Sequence, residues 1–352
     1  MWVILSLVAI FLVVGGNALE KFPNARYLGM GYNVVQGNPD EDLRDPGFAR
    51  SVLNLKWARG TKTLDGKYVI PDHTRALPTR SCGFESQAST ESGPGSYQTV
   101  LSADVSVDDY GTSDLWRARF SCSAGFKKIR EGTSQYHNFY TSARAKCIQY
   151  ELSVYPAQSP IGVTRHFAQA VGSLPLARND DAYNMFIKTY GTHFTSRVTM
   201  GAKMVVRSEF DETALSAMEE AGLSVETGAK LSFARLAAGV GDETETEQQQ
   251  RETFEEMRNS YTASYLGSHP PSDGRWETWA QSTATSPYPV RYRLAPLTSL
   301  FTHTFFPDTP PGELNTRRDL LAAAYEIYCS GISGCGVPPP DRLPVCCRDV
   351  RE

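Results

Sequence analysis

This chain has no surplus of basic residues: 35 Lys and Arg stand against 39 Asp and Glu, a formal net charge of −4. That balance excludes the electropositive footprint of a nucleic-acid binder, and no nucleic-acid partner is expected. Histidine is scarce. The six, His73, His137, His166, His193, His269 and His303, are scattered without the short spacings of a metal site. There is no His-Glu-x-x-His, no Walker loop and no Gly-x-Ser-x-Gly. Residues 29–34, GMGYNV, start like a dinucleotide fingerprint, but Val34 stands where the third glycine belongs. The chain therefore reads as a non-enzyme with no cofactor and no metal. No Asn-x-Ser/Thr acceptor occurs, so N-glycosylation is not expected. Past residue 14 no stretch approaches the roughly 18 uninterrupted apolar residues of a membrane-spanning helix.

What is present starts with an ordinary globular composition, 41% hydrophobic and 21% charged, enough for one large or two moderate cores. Residues 2–14 are apolar apart from Ser6, and Gly16-Asn17-Ala18 offers small residues at a cleavage site. Residues 1–18 read as a secretory signal peptide, cut after Ala18, which makes the protein extracellular. The seven cysteines, Cys82, Cys122, Cys147, Cys329, Cys335, Cys346 and Cys347, then suit disulfides, with one left over. Four of them fall within 329–352 beside Pro338-Pro339-Pro340, a short Cys/Pro-rich tail.

The periodicity changes character along the chain. Residues 160–189 read as helix, with Asn179-Asp180 capping a short segment through Tyr183, Phe186 and Ile187, and Gly191 just past its end. From 194 to 210 the pattern has period 2, with Phe, Val, Met, Ala, Met, Val and Phe among the even positions. A strand that long must bend, and Gly201 near its middle is the place for a bulge. Residues 213–222 suit a helix with Ala214, Ala217, Met218 and Ala221 on one stripe; within 243–262, Phe254, Met257 and Tyr261 have helical spacing.

Two segments embedded in this polar, helix-prone sequence alternate strictly. Leu223, Val225, Thr227, Ala229, Leu231 and Phe233 take one face of 223–233. Trp116, Ala118, Phe120, Cys122, Ala124 and Phe126 take one face of 116–126. Each run is about the length of one tilted strand crossing a bilayer core, although any half-buried antiparallel strand alternates too. Residues 242–256, DETETEQQQRETFEE, hold seven carboxylates and one Arg; a solvated helix face is the simpler reading than a calcium site. His193 reads as a structural joint, with Gly191 letting the chain turn and Thr192 and His193 hydrogen-bonding the backbone there.

Tyr190-Gly191-Thr192-His193-Phe194, then Gly201-Ala202, resembles the signature of the membrane-attack-complex/perforin superfamily. GMGYNVVQGNP (29–39), FARSVLNLKW (48–57), DGKYVIPDH (65–73), RFSCSAGFKKI (119–129) and RWETWAQS (275–282) look like the macrophage-expressed, perforin-2-like branch, in matching order. The resemblance covers roughly residues 25–328 and implies an α+β fold, a bent antiparallel four-stranded sheet flanked by two helical clusters. In this family each cluster unfurls into an amphipathic hairpin, and neighbouring copies join their hairpins into a barrel.

The block 19–328 is thus expected to be the perforin domain, with its clusters at about 101–142 and 209–262. The candidate lipid-facing residues are Trp116, Ala118, Phe120, Ala124, Phe126, Leu223, Val225, Ala229, Leu231 and Phe233. Cys122 and Cys147, both in the first insertion region, form a candidate disulfide. The expected partners are a lipid bilayer, copies of the same chain in a ring, and a separate targeting subunit recruited by the tail, unless the hairpin tips suffice. Acid triggering occurs in the perforin-2 branch, and Asp242, Glu243, Glu245 and Glu247 are its candidate sensors, since packed like charges relax on protonation. Two functions stay open. One is a secreted pore-former in innate defence or a toxin; the other is a non-lytic binding or structural protein of development, egg or matrix.

Overall fold

The computed structural model describes residues 20–108, 115–116, 118–154, 161–238 and 243–328. The expected signal peptide, the Cys/Pro-rich tail with Cys329, Cys335, Cys346 and Cys347, and Asp242 lie outside these residues. Among the described residues no helix is long and apolar enough to cross a membrane.

One strand organises the rest. β6 (His193–Phe210) is 18 residues long and forms the spine of a mixed, mainly antiparallel sheet. On one side it pairs first with β1 (Met30–Tyr32) and then with β5 (Phe139–Ser153). On the other it pairs first with β8 (Tyr288–Pro296) and then with β7 (Ser260–Leu266). β3 (Arg75–Glu91) lies outside β5, β2 (Phe48–Ser51) outside β1, and β4 (Val105–Val107) runs parallel to β8. The expected four-stranded core is β3–β5–β6–β7; the other strands extend it.

The spine is irregular where its sequence allows. Register slips between Ile148 and Tyr150 on β5, opposite Gly201 and Met200, and between Thr199 and Met200 against β8. A side chain at Gly201 would place its Cβ 2.0 Å from the Cys147 carbonyl oxygen, so only glycine permits this approach.

Two helical groups cover the sheet. The first is α1 (Pro94–Ser102) and α2 (Ala124–Gln135). After β5 come α3 (Arg165–Ser173) and α4 (Asp180–Tyr190), which pack at the far end of the spine. The second group is α5 (Glu212–Glu220), α6 (Val225–Ala238) and α7 (Glu245–Met257), joined by α8 (Trp276–Thr285). The last helix, α9 (Pro311–Tyr328), returns to the corner where the spine begins. Local chemistry starts these helices. Ser123, Thr164, Asn179 and Asp211 each accept a bond from a backbone amide in the first turn, and Thr244 and Glu247 form a reciprocal capping box.

The sequence reading needs two adjustments here. Residues 160–189 hold two helices, not one, separated by Leu174 to Asn179. Tyr261 lies on β7, because the helix ends at Met257 and the chain turns back against the spine.

Candidate functional site

The corner at 190–194 is built by close approach. Gly191 holds φ +85°, and a Cβ there would sit 2.4 Å from the Tyr32 carbonyl carbon. Thr192 donates its amide to the Tyr32 carbonyl at 2.9 Å, and its hydroxyl bridges the Tyr32 carbonyl and the Val34 amide, both at 3.2 Å. The His193 Nδ1 lies 2.8 Å from that hydroxyl, so the imidazole bonds a side chain rather than the backbone. Its Nε2 is buried and has no hydrogen-bond partner among the described residues. Burial lowers its pKa to about 3, so the ring is neutral. Residues 29–34 hold β1, Met30–Tyr32, which docks here against the start of the spine. Tyr190, Thr192, His193 and Phe194 are all buried.

Beyond the corner the two faces of the spine diverge. On one face Ala202, Met204 and Val206 join Ala143, Ala145 and Cys147 of β5. Phe233 and Ala237 of α6 and Trp279 of α8 close over them, all buried. A neighbouring cluster stacks Phe139 on Phe210 and sets Phe254 of α7 against Phe210.

The opposite face carries charge and is also covered. Lys203 is fully buried and donates to the Pro39 carbonyl, to Asp40 at 2.9 Å and to Asp104 at 3.2 Å. Arg144 reaches Asp40 at 2.8 Å and Glu91 at 3.5 Å; Arg207 lies 3.7 Å from Asp40; Lys146 pairs with Asp104. The three cations around Asp40 overcome its desolvation and hold its carboxyl far below the usual range; Lys203 and Lys146 do the same, less strongly, for Asp104. The first helical group rests on this floor. Tyr97 of α1 stacks under the Arg207 guanidinium at 4.6 Å and donates to Asn38 at 3.3 Å. Lys128 of α2 pairs with Glu209 at 3.4 Å.

The sequence did not single out Asp40, Glu91, Asp104, Arg144, Lys146, Lys203 or Arg207. The one trace of them in the sequence is the period-2 pattern of 194–210, whose odd positions include Lys203 and Arg207. The alternation reported that two faces differ, not that one is wet.

The candidate lipid-facing residues are brought together only in part. Ala118, Phe120, Phe126, Ala229 and Phe233 are buried; Trp116, Leu223, Val225 and Leu231 are half-buried; Ala124 is exposed. Neither alternating run is a strand here. Residues 118–122 are turns leading into α2, and 225–233 lie within α6. The strictly alternating segment is folded as helix.

The candidate Cys122–Cys147 disulfide is overturned: Cys147 is bonded to Cys82. These two are direct cross-strand partners on β3 and β5, with Cα atoms 3.9 Å apart. Cys122 is disulfide-bonded as well, but not to Cys147. In the acidic run, Glu243 and Glu255 both pair with Arg251 at 3.1 Å, and Glu247 accepts from the Thr244 amide and hydroxyl. Those bonds lower the Glu247 pKa. Glu245 is exposed in the first turn of α7. These carboxylates start and brace a helix rather than crowd one another. Among the described residues no group of three or more His, Cys, Asp or Glu could hold a metal ion.

The family profile described as MAC/Perforin domain matches residues 17–329. The chain is 26% identical over 327 residues to the Perivitellin-2 67 kDa subunit of Pomacea canaliculata, covering 86% of this chain and 54% of that one. It is 25% identical over 281 residues to the protein of the same name from Pomacea maculata, covering 75% and 46%. The chain thus spans about half the length of these curated relatives. The solved structure of GNIP1Aa from Chromobacterium piscinae superposes with a TM-score of 0.60 at 17% identity, over 88% of this chain and 56% of that one. At that identity the likeness is one of fold.

Proposed function

The chain belongs to the MAC/Perforin family, and from that premise we propose that it is a secreted, perforin-like pore-former. It gathers with copies of itself on a target membrane and inserts segments that the soluble form keeps as helices. The observation that carries this reading is residues 223–233. Their sequence alternates like a strand with one uncharged face, yet 225–233 are helix, with Ala229 and Phe233 turned into the core. A sequence whose local pattern conflicts with its fold is suited to two folds. Converted to a hairpin, it exposes open backbone edges that hydrocarbon does not tolerate, so insertion requires a closed ring of copies.

Within the family we place the chain near the perforin-2-like branch on the sequence stretches quoted above. The relatives in Pomacea are named as a subunit of perivitellin-2, which supports a second chain as targeting partner and keeps the non-lytic egg role as the competing reading. No reaction is assigned to the chain. Dye release from liposomes by purified residues 19–352, at neutral and mildly acidic pH, tests the proposal. Escape of large as well as small dyes is expected. A folded chain that binds vesicles but releases nothing at either pH, with or without a co-purified partner, would leave the non-lytic reading.

A further inference from the structure

The folded chain carries its charge unevenly. Residues 20–22 and 56–80 hold seven Lys and Arg against three Asp and Glu, in a protein whose net charge is −4. They gather beside the start of β3 as a small lobe. Phe22 packs edge-on against Tyr150 of β5 at 5.0 Å, and Asp65 accepts from the Tyr150 hydroxyl.

Two of the three carboxylates are engaged within the fold. Asp72 is buried and accepts from the Ala58 and Arg59 amides at 2.8 and 3.0 Å. Asp65 also accepts from the Thr63 hydroxyl at 2.7 Å and pairs with Arg80 at 3.3 Å. The third, Glu20, is exposed. Lys21, Lys56, Arg59, Lys62 and Lys67 are exposed too, and among the described residues none of the five has a carboxylate within 4 Å. Lys21 and Lys62 are direct bridge partners of Val69 from its two sides. Their side chains therefore share one face, with Cα atoms about 10 Å apart, twice the strand spacing. The Lys21 ammonium lies over the Trp57 indole at 5.0 Å, which holds it there. Gly60 and Gly66 turn the chain between these cations, and a side chain at either would meet nothing within 4 Å. The surface is open rather than recessed, so it offers charge more than shape.

We propose that this lobe is a docking surface for a sulfated polysaccharide. The choice of occupant rests on the pore-forming reading above and on where the lobe sits. The segments that reading inserts leave and rejoin the sheet at one end, at Glu91, Phe139, Phe210 and Ser260. The lobe is at the other end, beside the rung Arg75–Ser153–Arg197. From Arg197 to Phe210 the spine runs about 40 Å, at about 3.3 Å a residue. With the Phe210 end towards a bilayer, lipid head groups are several Debye lengths of about 8 Å from the lobe. Copies side by side in a ring stand at one height, so a neighbour's acidic α7, which packs by Phe210, is as far away. Protein interfaces are poor in lysine, and four of these five cations are lysine. What fits is an extended polyanion that stands off the membrane and is read by charge density, as Lys/Arg clusters read heparin-like chains. Sulfate esters keep that charge at any pH a secreted protein meets.

The probe is a fluorescent heparin octasaccharide, titrated with the full chain by anisotropy between about 50 and 200 mM salt. Arg59→Gln with Lys62→Gln should weaken binding about tenfold and lower the slope of log affinity against log salt by about two. Lys230→Gln with Arg235→Gln removes the same charge from exposed positions on α6 and should change the affinity less than about twofold. In the wild-type chain the octasaccharide should shield Lys21, Lys56, Lys62 and Lys67 from acetylation by an activated ester while Lys230 stays reactive, a readout that needs no variant. The surface is overturned if both pairs weaken binding alike, if those lysines stay reactive, or if unsulfated hyaluronan of equal length binds as tightly. It is overturned in favour of a membrane if phosphatidylserine vesicles bind the chain and the Arg59→Gln, Lys62→Gln pair abolishes that binding instead. A chain that binds the octasaccharide yet releases no dye refutes lysis and keeps the surface; one that releases dye without binding it refutes the surface alone.

Discussion

Under α1 and α2 the sheet presents Arg144, Lys146, Lys203 and Arg207; under α6 and α8 it presents Ala143, Ala145, Ala202, Met204 and Val206. Neighbouring residues on the same two strands therefore serve two covers held by different forces. Burial over the alanines and methionines is non-directional, so that cover can slide or lift by degrees while still hiding apolar area. The ionic floor is directional. Asp40 and Asp104 come from loops, and displacing them strands buried cations on the sheet and carboxylates on the cover. The difference predicts that the second cover yields first, piecemeal, and that the first yields late and as a unit.

The largest test is Lys203→Met, which keeps the length of the side chain and deletes its charge. Asp40 and Asp104 each lose a buried partner, for an expected loss of about 3–5 kcal/mol in denaturant unfolding. Hydrogen exchange should rise in α1, α2 and residues 38–45, and change little in α6. If α6 loosens equally, the covers are one cooperative unit and the contrast fails. Phe233→Ala is the counterpart. It empties the buried space between α6 and Ala143, Met204 and Trp279, and should cost about 3 kcal/mol. Exchange should then rise in α6 and α7 with α1 and α2 unmoved, and vesicle leakage, if lytic, should begin at lower protein concentration.

How far the sequence carried this contrast depends on the residue. The spine was legible: its period, its length and the weak point at Gly201 are all local. So were the caps at Asn179 and the corner at Gly191, because a cap needs only its own next turn. The ionic floor was not. The alternation places Lys203 and Arg207 on one face and says nothing of what covers them, because Asp40 and Asp104 lie some 160 and 100 residues from Lys203, and only tertiary packing joins them. The Cys82–Cys147 pair was hidden for a related reason. Its rung is set by register slips between Pro78 and Ser81 and between Gly83 and Gln87, which no cysteine spacing reports. Residues 223–233 were read correctly as a pattern and differently as a structure, since tertiary packing overrides the strand preference in this state.

His193 lies in the corner where the spine that both covers rest on begins, so it supplies the control. Its pKa is about 3 in the fold and the free value is about 6.5. The folded value is depressed, so the unfolded chain takes the proton first. The stability is complete above the unfolded pKa and is lost progressively as pH falls from about 6.5 towards 3. By pH 5 the loss should reach about 2 kcal/mol. Urea unfolding of the native chain and of His193→Gln should show this acid slope in the first and its absence in the second. Exchange in mild acid should rise in both covers together. A rise confined to one would mean that the corner does not couple them.

The smallest effect separates the acidic run from that corner. Thr244→Ala removes the cap of α7 and should cost about 1 kcal/mol, felt in α7 and its contact with α6 but not over the ionic floor. Glu247 accepts from the same threonine, and its pKa is lowered by those bonds. Its contribution is therefore present above the ordinary glutamate value and is lost only as pH falls below it, through the depressed folded value. Mild acid leaves Glu247 charged. Glu247→Gln should accordingly leave the neutral-to-mild-acid profile of leakage unchanged while flattening the loss of α7 helicity at stronger acid, followed by far-UV circular dichroism. If instead Glu247→Gln moved the mild-acid profile, the second cover would be the acid-responsive one, and the corner histidine would be a bystander to release.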